Sequence, residues 1–177
     1  MKDMRDLRAA AAVTIAILIA TGNARAQSNP DFSGTWAMDA AHSSSVGGGR
    51  GGAKGPGAGM GGGLGLGPPP ATLKIKQDAK TLRIDQAGAV VGTLTYRLDG
   101  AEAKGKWPAQ GGATRAATFH SEWKGGRLVT TITTKGAKGE PVTFQDVRYL
   151  DADGLLVTEI SIVGQENLRR TAYRKKP

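Results

Sequence analysis

A chain of 177 residues with no cysteine has no thiol catalysis, no disulfide scaffold and no cysteine-ligated metal site. Hydrophobic residues make up 39% and aromatic residues 5%, enough for one modest core and one domain at this length. The 24 basic and 15 acidic residues give a net charge of +9, which points to an anionic partner if to any.

The chain opens with Lys2, Arg5 and Arg8, an apolar run over residues 9–20, and Ala24-Arg25-Ala26 at the small-residue positions of a signal-peptidase site. This predicts a signal peptide over residues 1–26, cleaved after Ala26, and a periplasmic or secreted mature protein. The apolar run is shorter than the roughly 20 residues that span a bilayer, so the mature chain is not expected to be membrane-spanning. The leader holds four of the basic and two of the acidic residues, which leaves +7 on residues 27–177. Export makes an anionic envelope surface the partner to consider. Nucleic acid is not expected, since Gly49-Arg50-Gly51-Gly52 is one Arg-Gly-Gly unit behind an export signal.

Just inside the mature start, Phe32-Ser33-Gly34-Thr35-Trp36-Ala37-Met38 reads as a short strand with one glycine and one large aromatic. Residues 47–67 then hold 13 glycines, and Pro68-Pro69-Pro70 follows. Such a composition buries too little apolar surface to offset its ordering entropy, so residues 47–70 are expected to form a disordered loop with a stiff exit. A coil of this length reaches on the order of 27 Å, enough to cross the mouth of a small barrel.

Beyond Pro70 the period is two. Leu73 and Ile75 alternate with Lys74 and Lys76, residues 78–80 turn, and Leu82 and Ile84 resume the pattern. Leu94, Tyr96 and Leu98 share a face, Asp99-Gly100 is a hairpin turn, and residues 101–107 return. Phe119, Ser121 and Trp123 share the next face, Gly125-Gly126 turns the chain, and Leu128, Thr130 and Ile132 follow. Over residues 142–150 the apolar phase slips between Phe144 and Val147, which predicts a bulge near Gln145 or Asp146. Residues 151–154 turn into 155–163, and 168–175 closes the chain. The fold class is therefore all-β, an antiparallel up-and-down meander of eight to ten strands closed or nearly closed into a barrel, which removes exposed sheet edges.

With Gly34-Thr35-Trp36 in the first strand, the hairpin at residues 122–128 and Tyr173 followed by basic residues, the chain resembles the calycins, that is, lipocalins and fatty-acid-binding proteins. The resemblance implies that Trp36 packs across the closed end of the barrel beside a basic residue of the last strand, Arg169 or Arg170. It implies a ligand inside the barrel. Two departures are visible. Fatty-acid-binding proteins have a helical pair where this chain has residues 47–70, and their last strand reads Arg-x-Tyr where this chain has Thr171 two before Tyr173. The fatty-acid ligand itself is therefore not carried over.

Elsewhere the chemistry is sparse. Residues 100–106 approximate a phosphate-binding loop, but Trp107 stands where its hydroxyl residue belongs. His120 and Glu122 lie two apart in a strand, compatible with two metal ligands or with a solvent-facing polar row. Asp151 and Asp153 suit a turn more than a calcium loop. No catalytic residue, metal site or cofactor is assigned. The candidate cavity lining is Tyr96, Phe119, Trp123, Phe144 and Tyr149, which would either enclose a small apolar or amphipathic ligand or fill the core. Gly34, Trp36, Arg169, Arg170 and Tyr173 are the structural positions. Two functions follow: a non-enzymatic barrel that binds a small ligand, or an envelope-associated module that contacts anionic lipid or polysaccharide through its basic surface and Gly-rich loop.

Overall fold

The computed structural model describes residues 29–46, 68–108, 113–136, 139–165 and 168–177. The leader, its cleavage point, the glycine tract up to residue 67 and most of the loop after Pro108 lie outside the described residues. Ten strands follow one another: β1 (Gly34–Val46), β2 (Thr72–Gln77), β3 (Thr81–Ala87), β4 (Gly92–Arg97), β5 (Ala103–Pro108), β6 (Thr114–Lys124), β7 (Arg127–Lys135), β8 (Pro141–Leu150), β9 (Leu156–Ile162) and β10 (Leu168–Lys175). They form one antiparallel sheet in the order β4-β3-β2-β1-β10-β9-β8-β7-β6-β5. Pairing of the first strand with the last rolls the meander into a nearly closed barrel.

Alternation sets the two faces. Leu73, Ile75, Leu82, Ile84, Leu94 and Tyr96 point into the barrel and are buried, while Lys74, Arg83 and Thr95 between them lie exposed. The turns have local causes. Asp78 Oδ1 accepts from the backbone N–H of Lys80 and Thr81, both at 2.7 Å. Gly125 and Gly126 take φ of 55° and 77°, the pair of positive values that a two-residue hairpin matched to strand twist requires. Asp151 Oδ1 accepts from Asp153 and Leu155 N–H, which fixes the turn before β9.

Three expectations are corrected. β8 is not bulged: its pairing with β7 and β9 runs without interruption from Phe144 to Arg148. The apparent slip in apolar phase has another origin, namely that the inward positions after Phe144 are Asp146 and Arg148, both buried. An irregularity does occur in β1, between Asp39 and Ser44, where Asp39 Oδ1 accepts from the N–H of Ala41 and His42. Second, the Asp99-Gly100 turn forms, with Gly100 at φ 77°, but β4 and β5 do not pair; they are the two edges of the sheet. Tyr96 meets Phe119 across that seam at 5.5 Å between ring centroids, and Phe119 in turn packs on Trp107 of the neighbouring strand at 6.3 Å.

The third correction concerns Trp36. It is buried at one end, donates its Nε1–H to Phe32 O at 2.9 Å, and Phe32 lies 5.7 Å from Trp123. The basic side chain beside it is Lys175, not Arg169 or Arg170: register sets Trp36 opposite Lys175, whose Nζ is 5.5 Å from the indole centroid. Arg169 sits further along β10 and faces inward, while Arg170 faces outward, 3.7 Å from Asp151 and bonded to His42 O. Gly34, at φ 136°, lets the chain pass Lys175, whose Cε would stand 2.7 Å from a Cβ there.

Candidate functional site

The inward faces of β8 and β10 carry the buried charged residues of the described interior, with the β9 residues between them. Pairing sets Arg148 beside Thr158 and Asp146 beside Ile160, and it sets Thr158 beside Thr171, Ile160 beside Arg169 and Leu156 beside Tyr173. Because side chains alternate, Arg148, Arg169, Thr171 and Tyr173 all project inward. Asp146 is 0% and Arg148 3% exposed, and they form an ion pair of 2.6 Å through Nη2 and Oδ2. Tyr96 donates its hydroxyl to the same oxygen at 3.1 Å from the opposite wall, and the Arg148 guanidinium lies 5.6 Å from the Tyr96 ring centroid.

The electrostatics follow from burial. Burial opposes the Arg148 charge, but Asp146 and the two tyrosine oxygens outweigh it and hold the guanidinium charged, its pKa above the ordinary value. Arg169 has its pKa lowered by burial. Burial pushes Tyr173 up to about 12 and Tyr96 higher still. Both arginines are buried in largely apolar surroundings, and Asp146 is held between Arg148 and the Tyr96 hydroxyl.

A cavity with about 30 Å³ of room borders this cluster. Arg148, Arg169, Tyr173 and Trp107 bound it, and Pro69, Pro70 and Val90 stand over it. Both prolines are buried, although they belong to the connection that enters β2.

The aromatic residues singled out in the sequence do not make one wall. Tyr96, Phe119 and Phe144 are buried inside, joined through Trp107, which is 6.0 Å from Phe144. Trp123 packs at the Trp36 end, beside Phe32. Tyr149 is on the outer face, where its hydroxyl donates to Glu159 Oε1 at 2.7 Å and Arg127 stacks 3.9 Å from its ring. His120 and Glu122 are exposed, and among the described residues no three of the metal-ligating side chains converge. Sequence reasoning missed Trp107, Asp146, Arg148 and the inward role of Arg169. The signal for two of them was present: Phe144, Asp146 and Arg148 at spacing two are one face of an unbulged strand.

No protein-family model matches the chain, and no curated protein matches it. The solved structures do contain a match. The crystal structure of apo lipid binding protein 8 of Caenorhabditis elegans superposes with a TM-score of 0.53 over 82% of this chain and 95% of that one, at 17% identity. The fold is calycin-like. In this calycin-like barrel, strand order and closure through β1 and β10 accompany an interior of its own, with Thr171 two before Tyr173 and Arg169 four before it.

Proposed function

We propose that this calycin-like barrel is an exported, non-enzymatic protein that binds a small amphipathic molecule, with the polar head against Arg148 and Arg169 and the apolar part against Leu73, Trp107 and Ile160. The observation that carries the reading is the two buried arginines, Arg148 and Arg169, that border a cavity inside an otherwise apolar barrel. An anionic head placed there accepts charge-assisted hydrogen bonds from buried guanidinium groups, which are strong in a low-dielectric interior. The cavity admits a head group, while ligand sites for larger molecules run to about 300 Å³ or more. The apolar part therefore takes its volume from the Pro69, Pro70 and Val90 roof, which moves aside. The leader at residues 1–26 supports export.

The protein purified from its host and analysed by native mass spectrometry is expected to carry a bound amphiphile. After delipidation, calorimetric titration with dodecanoate is expected to give a dissociation constant in the micromolar range, weakened at least tenfold by Arg148→Met with Asp146→Leu. A dry, packed interior that takes up neither dodecanoate nor dodecyl sulfate refutes the reading.

A second reading has its own support. Lys104, Arg115 and Lys135 rim an open depression at the β5–β7 end of the sheet, and the tail adds Arg174, Lys175 and Lys176. An envelope module using this surface binds anionic liposomes with an affinity that falls steeply with salt. Absence of binding at low salt rejects it.

A further inference from the structure

Trp107 carries a buried donor that the barrel itself does not use. Its side chain is 4% exposed and packs between Phe119 and Phe144, yet its Nε1–H has no hydrogen-bond partner among the described residues. Gln86 carries the opposite polarity, a buried Oε1 acceptor that no described donor reaches. The two residues border the same cavity, and they come to it from the two sides of the unpaired seam. Trp107 belongs to the edge strand β5, whereas Gln86 belongs to β3, next to the opposite edge strand β4. Gln86 faces inward because register sets it beside the buried Leu73. Unpaired buried polar groups are costly and uncommon, so a donor and an acceptor on opposite sides of one small space describe the complement of something that enters it.

We propose that Trp107 and Gln86 read a secondary amide that links the chain of the bound amphiphile to its head, so that the ligand is an N-acyl compound. The Nε1–H of Trp107 donates to the amide carbonyl oxygen, and the amide N–H donates to Gln86 Oε1. The inference rests on the binding reading above for the head and adds the link. The Nε–H of Arg148, also buried without a partner, is left for the head. A trans amide points its C=O and its N–H to opposite edges, which is how a peptide group in a strand serves a neighbour on each side. Here the amide spans the seam from the β3 side to β5. Size agrees with this choice. The cavity has about 30 Å³ of room, and a water-sized group takes about 10 to 15 Å³ of such room, which suits the few heavy atoms of O=C–N. A lone hydroxyl fills less of the space and brings donor and acceptor to a single atom. An ester or a carboxylate offers the carbonyl oxygen but has no proton for Gln86. Sites built to bond a substrate N–H discriminate against the analogue that lacks it.

The test is calorimetric titration of the delipidated full-length mature protein with N-dodecanoylglycine, with its ester isostere (dodecanoyloxy)acetate, in which oxygen replaces the N–H, and with dodecanoate. The comparison of amide and ester needs no variant. The wild type is expected to bind the amide about tenfold more tightly than the ester, as one added buried hydrogen bond implies. Gln86→Met, which removes the acceptor at similar size, brings the two to within about twofold of each other. Trp107→Phe keeps a ring between Phe119 and Phe144 and removes the N–H. It weakens amide and ester alike by about tenfold, retains the preference between them, and does not lower the Tm of the unliganded protein, because the lost donor was unpaired. Equal wild-type affinity for amide and ester overturns the inference and means that water answers the two groups. A preference that survives Gln86→Met overturns the role of Gln86, and wild-type affinity for both compounds in Trp107→Phe overturns the role of the indole. Binding of dodecanoate with neither acylated compound bound overturns the inference and leaves the binding reading standing. Failure of all three to bind overturns the binding reading itself.

Discussion

Replacing Asp146 with asparagine tests the interior most directly, because it changes one charge and almost no volume. Asp146 is fully buried and is the carboxylate paired with Arg148, at 2.6 Å, while Arg148 is itself 3% exposed. Asp146→Asn leaves a guanidinium in the apolar interior with no counter-charge, and such losses cost about 3 to 5 kcal/mol. With a urea m-value of about 2 kcal/mol per molar for a domain of this size, a 4 kcal/mol loss moves the unfolding midpoint down by about 2 M. The assay is urea denaturation at pH 7, followed by far-ultraviolet circular dichroism and tryptophan fluorescence. The double variant Asp146→Leu with Arg148→Met removes both charges and is expected to lie within about 1 kcal/mol of wild type or above it, since well-packed apolar replacements of buried pairs are neutral or stabilising. A single-variant loss below about 1 kcal/mol refutes the reasoning, since it means that water reaches Arg148 in the folded protein.

Trp36→Ala is expected to cost about 3 to 5 kcal/mol, because the indole is 2% exposed and holds Phe32 through its N–H; a loss below about 1 kcal/mol, measured by the same denaturation, means that Trp36 does not fill this end of the barrel. Stability is expected to fall on the alkaline side. Burial raises Tyr173 to about 12 in the fold, so its contribution is complete below the ordinary phenol value of about 10 and is lost between about 10 and 12; Tyr173→Phe flattens that limb of the stability profile, and an unaltered limb contradicts the assignment. Gly126→Ala costs about 1 kcal/mol through the φ of 77° in the β6–β7 turn, with Gly126→Asn milder; equal midpoints for Gly126→Ala and wild type show a turn of another type.

Much of the fold was legible because side-chain period and turn chemistry are local. Leu73 and Ile75, Leu82 and Ile84, and Phe119, Ser121 and Trp123 announce strands and their inner face, and Asp78, Gly125-Gly126 and Asp151 announce where the chain reverses. The misreadings in β8 share a cause. Polarity was taken as a sign of the outside, so Asp146 and Arg148 looked like a slip of register and Tyr149 looked inward, although a strand that keeps its period places Phe144, Asp146 and Arg148 together and Tyr149 opposite them. A pair of opposite charges can be buried together where neither can be buried alone, and no single position in the chain reveals that partnership.

What the sequence alone determined is the set of strands, their order as an antiparallel meander, and an opening strand built around Gly34 and Trp36. Tertiary structure decided which residues meet. It joined β1 to β10 in a register that puts Lys175, not Arg169, against Trp36. It left β4 and β5 as unpaired edges bridged by aromatic rings. It also drew Gln86, Trp107, Arg148 and Arg169, from four different strands, around one small cavity. Alternation and turns depend on neighbours a few residues away, whereas register and interior charge pairing are settled by contacts between strands distant in the chain, where burial makes each pairing strong enough to choose one arrangement over the next.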